Sequence, residues 1–419
     1  MAKFLKLPVG PSTNSVWTAV AANGLTVVAL AISGRYRAAR STDGGVTWSF
    51  IELGSTFNKG WTHAASNGAN LFVAVANNGG TKQTMFSSDG GITWTLSTTA
   101  ITDALTCVAW SGNYFLAVGT SGTAWKTQDG DTWTAVGAYP VVGAAYQSVV
   151  WSGTTWIACR NDGAVATAFI TGNAENITTW AAQANGLAGT WIELVRLGTT
   201  VAAITSTGGT AGAATATQNG VTWTANNGLA AGTYVAAASD GTAGMVVLSQ
   251  IGPGATRITT STNGTAFTVQ TTANTDSTSQ MWSAAASTAA NSFVVISSSG
   301  GSTNRVAKSS ALATWEGYNM SYVNTLEIQS PNYYNVENFL YMRPGAQNTV
   351  ILDLDSANPS SDVFTFTFGS DYSGATHEVI MNAIVSANSQ ELAPAGFFEI
   401  SGTLPDGRFI DLQTSNVQG

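Results

Sequence analysis

A chain of 419 residues with a formal net charge of −8 carries only 15 lysines and arginines, too few to neutralise a nucleic-acid backbone, so a nucleic-acid partner is not expected. Charged residues make up 9% of the chain, far below the roughly 25% of ordinary globular proteins, while a hydrophobic share of 44% is too high for disorder. The surface must therefore be built from hydroxyls, amides and glycine.

Residues 1–11 form a lead segment, with a short strand over Lys3–Leu7 before a Gly-Pro turn. It has no signal-peptide pattern, and no later run is apolar enough to span a bilayer. The expectation is a protein made in the cytoplasm without membrane insertion.

From Trp17 one phrase recurs: an aromatic or Leu, a run of small apolar residues, a turn, then a second apolar strand. The openings are Trp17–Asn23, Trp61–Gly68, Leu105–Gly112, Tyr146–Gly153, Trp191–Gly198, Tyr234–Gly241 and Trp282–Ala289. Each phrase closes on an aromatic, in order Trp48, Trp94, Trp133, Trp180, Trp223, Phe267 and Trp315. Their spacing matches the roughly 40–50-residue period of four-stranded propeller blades. In the first unit strands are predicted near 17–23, 25–32, 37–42 and 46–52.

The clearest repeated stretch is Ser41-Thr42-Asp43-Gly44-Gly45-Val46-Thr47-Trp48, which returns as Ser87-Ser88-Asp89-Gly90-Gly91-Ile92-Thr93-Trp94. Asp accepts hydrogen bonds from N–H groups further along, Gly tolerates positive φ, and Thr starts a strand whose Trp drops between neighbouring sheets. Copies at Asp129–Trp133, Asn219–Trp223 and Asn263–Phe267 are one residue shorter. The motif resembles the Asp-box, or BNR, repeat of sialidase-type β-propellers, with consensus Ser-x-Asp-x-Gly-x-Thr-Trp. That resemblance implies a structural role for Ser41, Asp43, Gly45, Trp48, Ser87, Asp89, Gly91, Trp94, Asp129, Trp133, Asn219 and Trp223, because such boxes lie away from the sites of the proteins that carry them.

After Tyr318 the rhythm stops. Strands are predicted at 336–343, 348–355, 362–368, 396–401 and 408–412, with a helix over 376–385 capped by Thr376. The expected fold is an all-β seven-bladed β-propeller over 12–320 with a small C-terminal α+β domain over 321–419. The latter resembles short structural modules of tailed bacteriophages.

No catalytic constellation assembles from the residues. A sialidase needs three converging arginines, yet Arg35, Arg37 and Arg40 belong to one repeat, and Arg160, Arg196, Arg257 and Arg305 are scattered. Asp162 and Glu193 are the carboxylates a glycosidase reading would test. His63 and His377 have no His or Cys at ligand spacing, and Cys107 and Cys159 read as buried small hydrophobes, so neither a metal nor another cofactor is expected. Asp boxes occupy the turns between third and fourth strands. The second-to-third-strand loops and interblade connections therefore open on the opposite face, with Arg35, Tyr36, Asn77, Asn78, Lys82, Arg160, Asp162, Arg257 and Arg305. Near them begin the strands headed by Trp17, Trp61, Tyr146, Trp191, Tyr234 and Trp282. These rings are either sugar-stacking plates or packing wedges between blades.

The leading expectation is a non-enzymatic structural or binding protein of a tailed-bacteriophage virion, attached at head or tail. Its partners would be other virion proteins, docked through 321–419, and a host-surface glycan; it would be present as a symmetric oligomer or in multiple copies. The alternatives are a cellular Asp-box propeller acting as a scaffold or glycan binder, like the photosystem assembly factors with seven such blades, and a sialidase-like glycoside hydrolase.

Overall fold

The computed structural model describes residues 15–318, other than 35, 79, 121, 141–144, 162–168, 184–186, 188, 209–211, 227, 243, 252–256, 271–280, 300–305 and 313, together with five later strands. Its residues through 318 form seven four-stranded antiparallel sheets, each made of four consecutive strands. The first runs Val16–Asn23, Thr26–Ser33, Ala38–Ser41 and Ser49–Ile51, close to the predicted bounds. The fold is a seven-bladed β-propeller. Second strands such as Phe72–Ala76 and Phe115–Gly119 are buried at every position, as an apolar run demands when a sheet lies on each face.

Seven apolar clusters hold the ring together, one at each junction between neighbouring blades. The junction of the last blade with the first is built like the others: Trp17, Val27 and Trp48 pack on Ala286, Val294, Ile296 and Val306. Hydroxyls reinforce the inner seam. Thr18, Thr62 and Thr106 donate to the carbonyls of Trp61, Leu105 and Tyr146 on the following blade at 2.7, 3.1 and 2.6 Å, and Ser283 donates to Trp17 O at 2.7 Å. Closure is face to face, and both sheets at the seam are complete from their own strands. The predicted lead strand at Lys3–Leu7 lies outside the described residues.

The repeated turns join third to fourth strands, as predicted. Asp43 Oδ1 accepts from the N–H groups of Val46 and Thr47 at 2.9 Å, Ser41 Oγ accepts from Gly45 N at 2.8 Å, and Trp48 Nε1 donates to Gly45 O at 2.9 Å. Gly45 has φ +96°, and a Cβ there would lie 2.7 Å from Val294 of the preceding blade. Only glycine satisfies both demands. In the shorter copy Asp129 Oδ1 serves the N–H groups of Asp131 and Thr132, while Thr127 Oγ1 and the indole of Trp133 meet Gly130 as their counterparts meet Gly45. The deleted residue is therefore the first glycine, and the one against the preceding blade is kept. Asn219 and Asn263 accept in the same way.

Backbone packing separates Gly10–Ser321 from a second unit that holds Tyr322–Gly419. Within the latter, Phe339–Pro344, Thr349–Leu354 and Val363–Thr367 form a three-stranded antiparallel sheet, and Phe398–Thr403 pairs with Phe409–Thr414. The helix predicted over 376–385 lies outside the described residues.

Candidate functional site

The innermost strands line a channel along the ring axis. They are Val16–Asn23, Trp61–Ser66, Leu105–Trp110, Tyr146–Trp151, Trp191–Leu197, Thr233–Ser239 and Met281–Ala289. All seven share a β-bulge just after the heading residue, seen as a register shift spanning Trp17–Ala19, Trp61–His63 and their equivalents. A regular strand would place residues two apart on the same face, and the extra residue reverses that. The heading side chain thus wedges against the preceding blade, while the residue two further on turns away from that junction: Ala19, Cys107 and Ala236 join the following one, and His63 and Glu193 line the channel.

That second position reads Ala19, His63, Cys107, Ser148, Glu193, Ala236 and Ala284 around the ring. Four adjacent blades carry a polar or ionisable group and three carry alanine. The four are linked: Val108 N–H faces His63 Nδ1 at 3.4 Å, Cys107 Sγ lies 3.8 Å from both Ser148 Oγ and Val149 O, and Ser148 Oγ donates to Glu193 Oε1 at 2.6 Å while accepting from Leu194 N at 3.1 Å. Burial, and secondarily the neighbouring Glu193 carboxylate, push the Cys107 thiol far up. Burial also raises the Glu193 carboxyl, against the opposing pull of His63 and the Ser148 hydrogen bond.

Two funnels lead to this cluster. The one on the loop face, about 560 Å³, is lined by Asn77, Asn78, Thr18, Thr62, Thr106 and Gln147. The other, about 500 Å³, opens on the rim of the repeated turns, with Trp110, Trp151 and Arg196 in its wall among serines and small residues. His63 and Glu193 line both, so they stand at the waist. Trp110 and Trp151 close their inner strands opposite Phe115 and Trp156, against which their rings lie at centroid distances of 4.5 and 5.3 Å. Both remain half-buried in the funnel wall, and Arg196 is steadied by its Nε donating to Gly198 O at 2.9 Å.

The predicted glycan face is corrected by these positions. Trp17, Trp61, Tyr146, Trp191, Tyr234 and Trp282 are 0–1% exposed and offer no face for a sugar; they are the wedges between blades. Arg160 ends a second strand and is buried rather than displayed on a loop. Tyr36 packs on Phe50 with ring centroids 5.5 Å apart, and Arg257, at φ +57°, is half-buried. Arg35, Asp162 and Arg305 lie outside the described residues. Arg40 is committed to Gly90 O of the next blade at 2.7 Å and Arg37 to the carbonyl of Ile32. Cys107 and Cys159 are buried, as expected, and are free thiols. The sequence reading missed the clustering of His63, Cys107, Ser148 and Glu193, although their equal offset from the heading residue is a signal that aligned repeats display. It also gave no binding role to Trp110, Trp151 or Arg196, which share one offset from the heading residue but not one residue type.

Fold and channel together define a seven-bladed β-propeller with a polar waist. No protein-family model matches the chain, and no curated protein matches it in sequence. Solved structures similar in fold include YCF48 bound to D1 peptide, at 14% identity and TM-score 0.52, covering 70% of this chain and 93% of that one. The GH74 enzyme of Niastella koreensis shows 16% identity and TM-score 0.56 over 87% of this chain and 68% of its own. The GH74 xyloglucanase of Xanthomonas campestris shows 12% and 0.57 over 96% and 66%. At such identities the likeness establishes the propeller fold alone, and these neighbours include both glycoside hydrolases and a peptide-bound protein.

Proposed function

We propose that this chain is a non-catalytic binding propeller of a tailed-bacteriophage particle, whose Asp-box turns are scaffolding and whose turn-side funnel captures a surface glycan. The observation that carries the binding reading is the pairing of Trp110 and Trp151 with Arg196 at the mouth of that funnel. Half-buried indoles present apolar faces on which sugar rings stack, while the guanidinium and surrounding serines hydrogen-bond hydroxyls or an acidic substituent. Among the described residues lining either funnel, Glu193 is the one carboxylate, whereas glycoside hydrolysis by the usual route employs two. That favours capture over cleavage. The virion assignment draws on the charge-poor, hydroxyl-rich composition, on the resemblance of the C-terminal segment to phage modules, and on a second unit available for docking.

The test is binding of the full chain to immobilised host-surface oligosaccharides. Trp110→Ala and Trp151→Ala should each weaken capture at least tenfold in chains whose circular dichroism shows them still folded at the assay temperature, and fluorogenic glycosides should remain intact. Capture unaffected by both substitutions, or turnover lost on Glu193→Gln, would refute the reading.

A further inference from the structure

We propose that His63, Cys107 and Glu193 form a binding site for a zinc-class divalent ion on the axis of the ring. Three ligand types, an imidazole, a thiol and a carboxylate, come from three different blades, and their donor atoms all lie within 4.8 Å of one another. Tetrahedral zinc, with bonds of about 2.0–2.3 Å, sets its ligands roughly 3.3–3.8 Å apart. The cluster therefore has to tighten only by small side-chain rotations.

The fold supplies what a site needs beyond donors. The bulge in each inner strand turns these side chains inward at one level. Ser148 fixes Glu193 by a 2.6 Å hydrogen bond and is itself held by Leu194 N–H, the outer-shell support that orients a metal-binding carboxylate. His63 Nδ1 meets Val108 N–H at 3.4 Å, at the long end of hydrogen bonding, and is weakly engaged. The equivalent positions in the three remaining blades are alanine, so nothing bulky competes for the axis.

Charge balance argues the same way. A thiolate and a carboxylate whose donor atoms lie within 4.8 Å of each other repel one another unless a cation sits between them. A divalent ion with one thiolate, one carboxylate and one neutral imidazole is neutral overall. Binding replaces the S–H bond of Cys107 by an S–metal bond, and the proton leaves to channel water. Nitrogen, sulfur and oxygen donors together suit zinc rather than calcium or magnesium. A fourth position remains for water or for a donor atom of a molecule entering a funnel.

The test is titration of the full-length, metal-stripped chain with Co2+ and then Zn2+. One equivalent of Co2+ should produce the visible bands of a tetrahedral centre with thiolate-to-cobalt charge transfer, and Zn2+ should displace it with proton release. Cys107→Ser, which places serine where blade four already carries one, should abolish the charge-transfer band in a chain of unchanged circular dichroism. Cys159→Ser should keep it. His63→Asn and Glu193→Gln should weaken binding about tenfold or more. X-ray absorption of the zinc-loaded wild-type chain, which needs no variant, should show one sulfur neighbour. Failure of the folded wild-type chain to bind Co2+, a charge-transfer band that survives Cys107→Ser, or a zinc shell without sulfur would overturn the proposal.

Discussion

Asp89 shows how much one side chain does in each repeated turn. Its burial would raise the carboxyl, yet hydrogen bonds from the Thr93 hydroxyl and N–H, the Ser87 hydroxyl and the Ile92 N–H outweigh that and hold it down at about 2. The folded value lies below the ordinary aspartate range of about 4, so the stabilisation is complete above that range and is lost as pH falls through about 2. Because solvent reaches these bonds and screens them, Asp89→Ala should cost about 1 kcal/mol at neutral pH. Asp89→Asn should cost less, since Asn219 and Asn263 do the same work elsewhere. Melting curves across the acid range should show the gap between wild type and Asp89→Ala closing below about pH 4; a gap independent of pH would mean that the charge is not what the turn uses. The strand-heading rings make a second case. Trp61 and Trp191 are 0% exposed, so replacing either by Ala should cost about 3–5 kcal/mol by leaving a cavity between blades. Denaturant unfolding would report it, and a loss below about 1 kcal/mol would deny the wedge role.

At the scale of the element, the inner strand explains which parts of the molecule were legible beforehand. Strand number, order and bounds followed from apolar runs and the recurring turn, because both are local signals. The heading aromatics were recognised, but whether they faced a ligand or a neighbour depends on the blade packed against them, and sequence periodicity is silent on that. The bulge after each heading residue is silent too. It has no glycine or proline to announce it, yet it decides that Trp61 and His63 point to different blades. Spacing along the chain hid the proximity of His63, Cys107 and Glu193, since a propeller brings together residues at one register rather than at short separation. Trp110 and Trp151 escaped for the opposite reason: only two of seven repeats have an aromatic there, so no periodicity marks them.

For the whole molecule, ring closure sets the division of labour. Every blade is complete in itself and every junction has its own apolar cluster, so the propeller unit should stand without the residues that follow. A chain ending at Met320 is expected to remain folded, with cooperative unfolding and intact glycan capture, while failing to enter phage particles assembled with it. Mass spectrometry of purified particles measures this, and normal incorporation of the shortened chain would remove the docking role proposed for 321–419.

Glycan capture in the turn-side funnel is tested most directly by a density map of the full chain holding a captured oligosaccharide. A sugar ring against Trp110 or Trp151, within reach of Arg196 and on the rim of the repeated turns, is the predicted result. Density instead on the opposite face, beside Asn77, Asn78 and Arg257, would contradict it.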